Sequence, residues 1–107
     1  MGTDLLPGTL DMLILRSLTR GARHGSGIAQ HLKKISEDVL DVGESSLYPA
    51  LQRLLLSGWV TAEWGASENN RRARYYKLTA AGRKQLGVEN REFDRMILAI
   101  QKVMSCA

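Results

Sequence analysis

At Gly58 the spacing of apolar residues drops from three or four to two, and this switch restricts the chain to few folds. Before it, three short segments carry helical spacing. Leu10, Leu13, Ile14 and Leu18 do so over residues 9–19, with Gly21 as the stop. Ile28, Leu32 and Ile35 do so over residues 28–36, and Leu47, Ala50, Leu51 and Leu54 over residues 45–57. After it, residues 59–64 and 71–78 alternate as two strands around turn-forming residues 65–70. Residues 39–42 partly alternate as well and predict one further short strand. Thr79 then caps a last helix that reaches about Met104. The expected fold is therefore mainly α with a small β-hairpin, an α+β class. Its layout is that of a winged helix-turn-helix followed by a long C-terminal helix. The expected division is 1–78 for the winged unit and 79–107 for the helix.

The third helix has two faces. Leu47, Ala50, Leu51 and Leu54 form the buried stripe, while Ser45, Tyr48, Gln52 and Arg53 face outward. Ser45 or Ser46 is expected to cap it, and Pro49 is expected inside the first turn, where a missing N–H costs least. The outer face offers hydroxyls, an amide, a guanidinium and an aromatic ring at a helix N-terminus. That set suits major-groove edges and phosphates. Taken alone, the helix reads equally well as an ordinary amphipathic helix with a solvated face.

Charge shifts the balance. The 107 residues hold 15 Lys and Arg against 11 Asp and Glu, a net charge of +4. The hairpin takes a large share of it, with Arg71, Arg72, Arg74 and Lys77 offset locally by Glu68 alone. A basic hairpin directly after a helix with a polar outer face is the arrangement of a wing beside a recognition helix. The candidate DNA-binding residues are Ser45, Ser46, Tyr48, Pro49, Gln52, Arg53, Asn70, Arg71, Arg72 and Arg74. The wing arginines would supply affinity and register, and Gln52 and Arg53 the base contacts.

The last helix has a different task. Leu86, Phe93 and Ile100 recur at sevens, with Met96, Ile97, Val103 and Met104 between them. An apolar seam kept for about three heptads predicts pairing with a second copy. Folding back on its own domain is the alternative. A homodimer would present two recognition helices to an inverted repeat in double-stranded DNA.

Other chemistry is poorly served. His24 reads as a turn residue and His31 as a helix-surface residue, and neither has metal-ligand spacing with cysteine or carboxylate. No Ser/His/Asp or Cys/His arrangement points to catalysis, so neither enzymatic activity nor a cofactor is expected. Cys106 alone excludes an internal disulfide and fits a reducing compartment. With neither a signal peptide nor a membrane-length apolar run, a cytoplasmic location is expected. A winged helix that docks proteins through its basic hairpin is the competing reading, separable by salt dependence.

Several stretches resemble the PadR family of transcriptional regulators. They are Leu5-Leu6-Pro7-Gly8-Thr9-Leu10-Asp11, His24-Gly25-Ser26-Gly27-Ile28, Ser46-Leu47-Tyr48-Pro49-Ala50-Leu51 and Gly58-Trp59-Val60. Glu63-Trp64-Gly65, Ser67-Glu68-Asn69-Asn70-Arg71-Arg72-Ala73-Arg74-Tyr75-Tyr76 and Leu78-Thr79-Ala80-Ala81-Gly82 continue the series. The single last helix is similar to the family's smaller branch. The resemblance implies a repressor that binds inverted repeats as a homodimer through its C-terminal helix, often released by a small-molecule effector. Phe93, Met96 and Ile97 would line an effector cavity, although core packing explains them equally well. Ser26 stands where the family commonly has an aromatic residue. The last helix also lacks the tryptophan on which some small members stack flat ligands, so the resemblance does not extend to such a pore.

Overall fold

The computed structural model describes residues 8–106, so the expected N-terminal arm and the Leu5-Leu6-Pro7 part of the first motif lie outside the described residues. The order is α1 (Thr9–Ser17), β1 (Arg23–His24), α2 (Gly25–Ile35), α3 (Glu44–Leu56), β2 (Val60–Ala66), β3 (Arg72–Leu78) and α4 (Ala80–Ser105). The α+β winged helix with a long C-terminal helix is the observed fold. None of the described helices is long and apolar enough to cross a membrane.

The sheet has three antiparallel strands in the order β1-β3-β2. Its third strand is not the one expected. Residues 39–42 are not a strand, because Glu37 and Asp38 adopt left-handed φ of 54° and 70° and turn the chain. The Ser36 hydroxyl then accepts from the Leu40 N–H at 2.8 Å, and only Val42 reaches the core. The extra strand is instead Arg23–His24, which pairs Arg23 with Tyr76 and His24 with Tyr75. Two residues are too few to show a period, so alternation could not reveal them.

The core joins Ile14, Leu15 and Leu18 of the α1 segment to Ile28 and Leu32 of α2 and to Leu47, Ala50, Leu51 and Leu54 of α3. Val60, Tyr76 and Leu78 close it from the sheet. Ile35, expected on the buried stripe of α2, is 69% exposed. The helix begins at Gly25 rather than near Ile28 and ends at Ile35, which leaves that side chain at a solvated terminus.

Thr79 caps α4 as expected: its hydroxyl accepts from the Gly82 N–H at 2.9 Å and donates to the Gly58 carbonyl at 2.8 Å. Gly82 is required there, since a Cβ would collide with the Trp59 carbonyl oxygen and come within 2.8 Å of Leu78. The first turns of α4 pack along α1, and Leu86 lies against the core. From Asn90 to Cys106 every described residue is exposed, and the molecule is drawn out to 56 × 31 × 22 Å.

Candidate nucleic-acid interface

The interface is built on the N-terminus of α3. Gly43, with φ −81° and ψ 162°, is the N-cap, and no side chain caps the helix. Ser45 and Ser46 were expected to cap; they instead sit inside the first turn, because the helix starts one residue earlier at Glu44. Both remain exposed, so their hydroxyls face solvent, while the Ser46 N–H donates to the Gly43 carbonyl at 3.1 Å. Pro49 is likewise displaced from its expected place. It is the sixth helical residue, in the second turn, so the Ser45 carbonyl cannot receive the usual bond from residue 49. That carbonyl stays available as an acceptor on the polar face.

Tyr48 ties this helix end to the rest of the site. Its ring lies against Gly25, where a Cβ would approach the Tyr48 Cε1 and hydroxyl to 3.0 Å. Gly25 thus admits a tyrosine side chain. On β3, burial pushes the Tyr76 phenol above its usual pKa, with Arg74 opposing and Tyr48 adding. The Arg74 guanidinium sits 6.0 Å from the Tyr76 ring centre. Tyr48 thus ties the start of α3 to α2, while Arg74 faces Tyr76 within the wing.

The wing arginines differ in direction. Val60, Ala62, Tyr76 and Leu78 mark the core face of the hairpin, and strand alternation places Trp64, Arg72 and Arg74 on that same face beyond the core. Arg71 lies at the turn, where Ser67 N–H donates to its carbonyl at 2.8 Å. Beside it, Asn70 takes a left-handed φ of 56°, which asparagine tolerates well. All four candidate wing residues are exposed.

Gln52 and Arg53 part company. Gln52 is exposed on the outer face of α3. Arg53 reaches back to α1, where its Nη2 donates to Asp11 Oδ1 at 2.8 Å. Asp11 is the less exposed partner, at 16% against 58%. This ion pair joins residues 42 apart in the chain.

The opposite face of the wing holds a residue that sequence reasoning missed. His24 is both a strand residue and the N-cap of α2, its Nδ1 accepting from the Gly27 N–H at 2.9 Å. The other ring nitrogen, Nε2, lies 3.4 Å from Glu68 in the hairpin turn. The ring meets Tyr75 edge-on at 5.4 Å, and the Tyr75 hydroxyl donates to the Ala66 carbonyl at 2.8 Å. Tyr75 is thus committed to holding the hairpin. His31 lies on α2 beside Arg23 and Lys34; burial first, then those two cations, hold it below the usual histidine pKa.

The far half of α4 presents the seven-residue seam. Phe93 and Ile97 are each 36% exposed, Ile100 43%, Met96 56%, Val103 72% and Met104 78%. Leu86 is set apart from them by its packing on the core. Phe93, Met96, Ile97 and Ile100 border a groove of about 280 Å³ completed by Gly8, Thr9 and Met12. Glu89 and Glu92 line its other end. Glu89 Oε1 accepts from Gln85 at 3.3 Å, while its Oε2 is buried with no hydrogen-bond partner among the described residues. Burial raises the Glu89 pKa, Gln85 opposes this, and Asp11 and Glu92 add to it.

This architecture has many counterparts. A transcriptional regulator from Clostridium thermocellum superposes with a TM-score of 0.84 at 27% identity, covering 94% of this chain and 97% of that one. A PadR-like transcription factor from Bacteroides fragilis gives 0.72 at 30% identity over 90% of each chain. An uncharacterised protein, protein X, from Lysinibacillus sphaericus is 29% identical over 84 residues, 78% of this chain and 77% of its own. The model of the transcriptional regulator PadR-like family matches residues 14–88, from the middle of α1 into the first turns of α4. On that match, this chain belongs to the PadR-like family of transcriptional regulators.

Proposed function

We propose that the chain is a sequence-specific DNA-binding repressor that acts as a homodimer on an inverted repeat and is released by a small molecule. It acts by binding, with residues 1–78 as the DNA-binding unit and residues 79–107 as the dimerisation helix. The observation that carries this reading is the exposure of Ser45, Ser46 and Gln52 on the outer face of α3 together with that of Arg72 and Arg74 on one face of the hairpin that follows it. Ser45 and Ser46 bind phosphate through their hydroxyls next to the major groove, Pro49 stiffens the second turn and Tyr48 anchors the helix start against α2. Gln52 reads base edges. Arg53 adds a contact once it leaves Asp11. Asn70, Arg71, Arg72 and Arg74 bind along the adjoining backbone.

Dimerisation through Phe93, Met96, Ile97, Ile100, Val103 and Met104 is supported by their joint exposure on one seam of α4. Leu86 marks where the seam leaves the core. The groove that Phe93, Met96 and Ile97 share with α1 is the place for an effector, since α1 also carries the Asp11 that holds Arg53.

Selection of bound duplexes from a random library at two salt concentrations, with the protein's mass measured alongside, tests the reading. The expected result is an inverted repeat enriched by a dimer. Arg71→Ala should then weaken binding to all sequences alike, while Gln52→Ala should cost about 1–3 kcal/mol on the enriched site alone. Absence of binding at either salt would move the assignment to a protein-docking wing.

A further inference from the structure

The reading above gives the wing a role in affinity and register but leaves its tryptophan unused. Trp64 is 60% exposed near the outer end of β2, directly opposite Arg74 in the strand register. The guanidinium of Arg72, one step nearer the turn on the same face, lies 4.4 Å from the indole ring centre. Arg74 takes the next step inward against Tyr76. The face therefore bears two arginines, each set against an aromatic ring. With α3 in a major groove, this face lies over the minor groove alongside it.

Two physical properties make the Arg72–Trp64 stack more than decoration. A guanidinium is weakly hydrated and stacks on an indole without losing its N–H donors at the ring edge. Held in one orientation, it also loses less freedom when it is bound. A narrow A·T-rich minor groove concentrates negative potential and attracts an inserted arginine. A free arginine on the same strand would bind any phosphate within reach, whereas an arginine held on a rigid platform is matched to a groove of one width.

We propose that Trp64 is a positioning and specificity-determining residue: it holds Arg72 so that the wing selects A·T-rich flanks by minor-groove width, adding shape readout to the base contacts of α3. The proposal rests on the DNA-binding reading above. It makes the wing a contributor to sequence choice.

The test is parallel selection from a random duplex library with the wild-type chain, Trp64→Phe and Trp64→Leu. Circular dichroism and a thermal melt of each variant confirm the fold. The wild-type chain should enrich half-sites flanked by A·T pairs, and exchanging those flanks for G·C should weaken binding several-fold. Trp64→Phe keeps an aromatic face and should retain the flank preference; Trp64→Leu should lose it along with overall affinity. Persistence of the preference in Trp64→Leu would overturn the proposal, as would half-sites enriched by the wild-type chain with no flank preference, although that second result leaves the DNA-binding reading intact. Failure of the wild-type chain to enrich any repeat would overturn both together.

Discussion

Two glycines five residues apart on α4 are in opposite situations. Gly82 faces the Trp59 carbonyl, so Gly82→Ala forces backbone apart and should cost at least about 2 kcal/mol despite alanine's better helix propensity. At Gly87 a Cβ meets only the flexible end of Arg91 at 3.5 Å, so Gly87→Ala should stabilise by up to about 1 kcal/mol. Denaturant titration of both variants checks the pair, and equal effects would mean that the close approach at Gly82 is not rigid. From sequence the two glycines are indistinguishable, because the distinction lies in what crosses the helix at residue 82. The same limit applies to Arg53. Its helical position is legible, but the Asp11 that neutralises it is 42 residues away. Asp11→Asn should free Arg53 for one more phosphate contact and steepen the slope of log K against log salt by roughly 0.9. An unchanged slope would mean that Arg53 makes no phosphate contact even when released. Stability should change little, since exposed pairs contribute about 1 kcal/mol or less.

Among elements, those with a long period were the legible ones. The stripe of α3, the alternation of β2 and β3 and the Thr79 cap of α4 each repeat a physical pattern several times or follow a short-range rule. The two-residue strand β1 does neither, and residues 39–42 do not form the short strand their alternation predicts, because left-handed Glu37 and Asp38 turn the chain. His24 reads as a turn residue, yet it caps α2 and braces the wing through Glu68. Within α4, Glu89 gives a pH-dependent test. Burial raises its pKa, so the native state takes up its proton before the unfolded chain does. Stability should therefore rise as pH falls through the raised value and level off below the ordinary glutamate value. Glu89→Gln should be more stable than the wild-type chain at neutral pH and lack that stretch of pH dependence. Thermal melts between pH 4 and pH 8 distinguish the two profiles, and parallel profiles would place Glu89 in contact with water.

At the scale of the whole molecule, the question is what the exposed half of α4 is for. A helix serving only its own domain has no physical reason to extend an apolar seam past Leu86, where contact with the core ends. Phe93, Met96, Ile97, Ile100, Val103 and Met104 continue it into solvent, and a seam of that length is stable in water only when a second apolar surface covers it. A second copy supplies one by symmetry, since an isologous contact pairs the seam with itself. Ile97→Asp combined with Ile100→Asp places two charges in that contact and alters no residue of the core cluster. Sedimentation equilibrium should then report a monomer, with the helical circular dichroism signal largely retained. Affinity for an inverted repeat should fall towards that of a single half-site, because the second half-site is no longer bound at the high effective concentration that linkage provides. A variant that still sediments as a dimer would place the interface elsewhere. The spacing of the two recognition helices would then have to be derived from that surface instead.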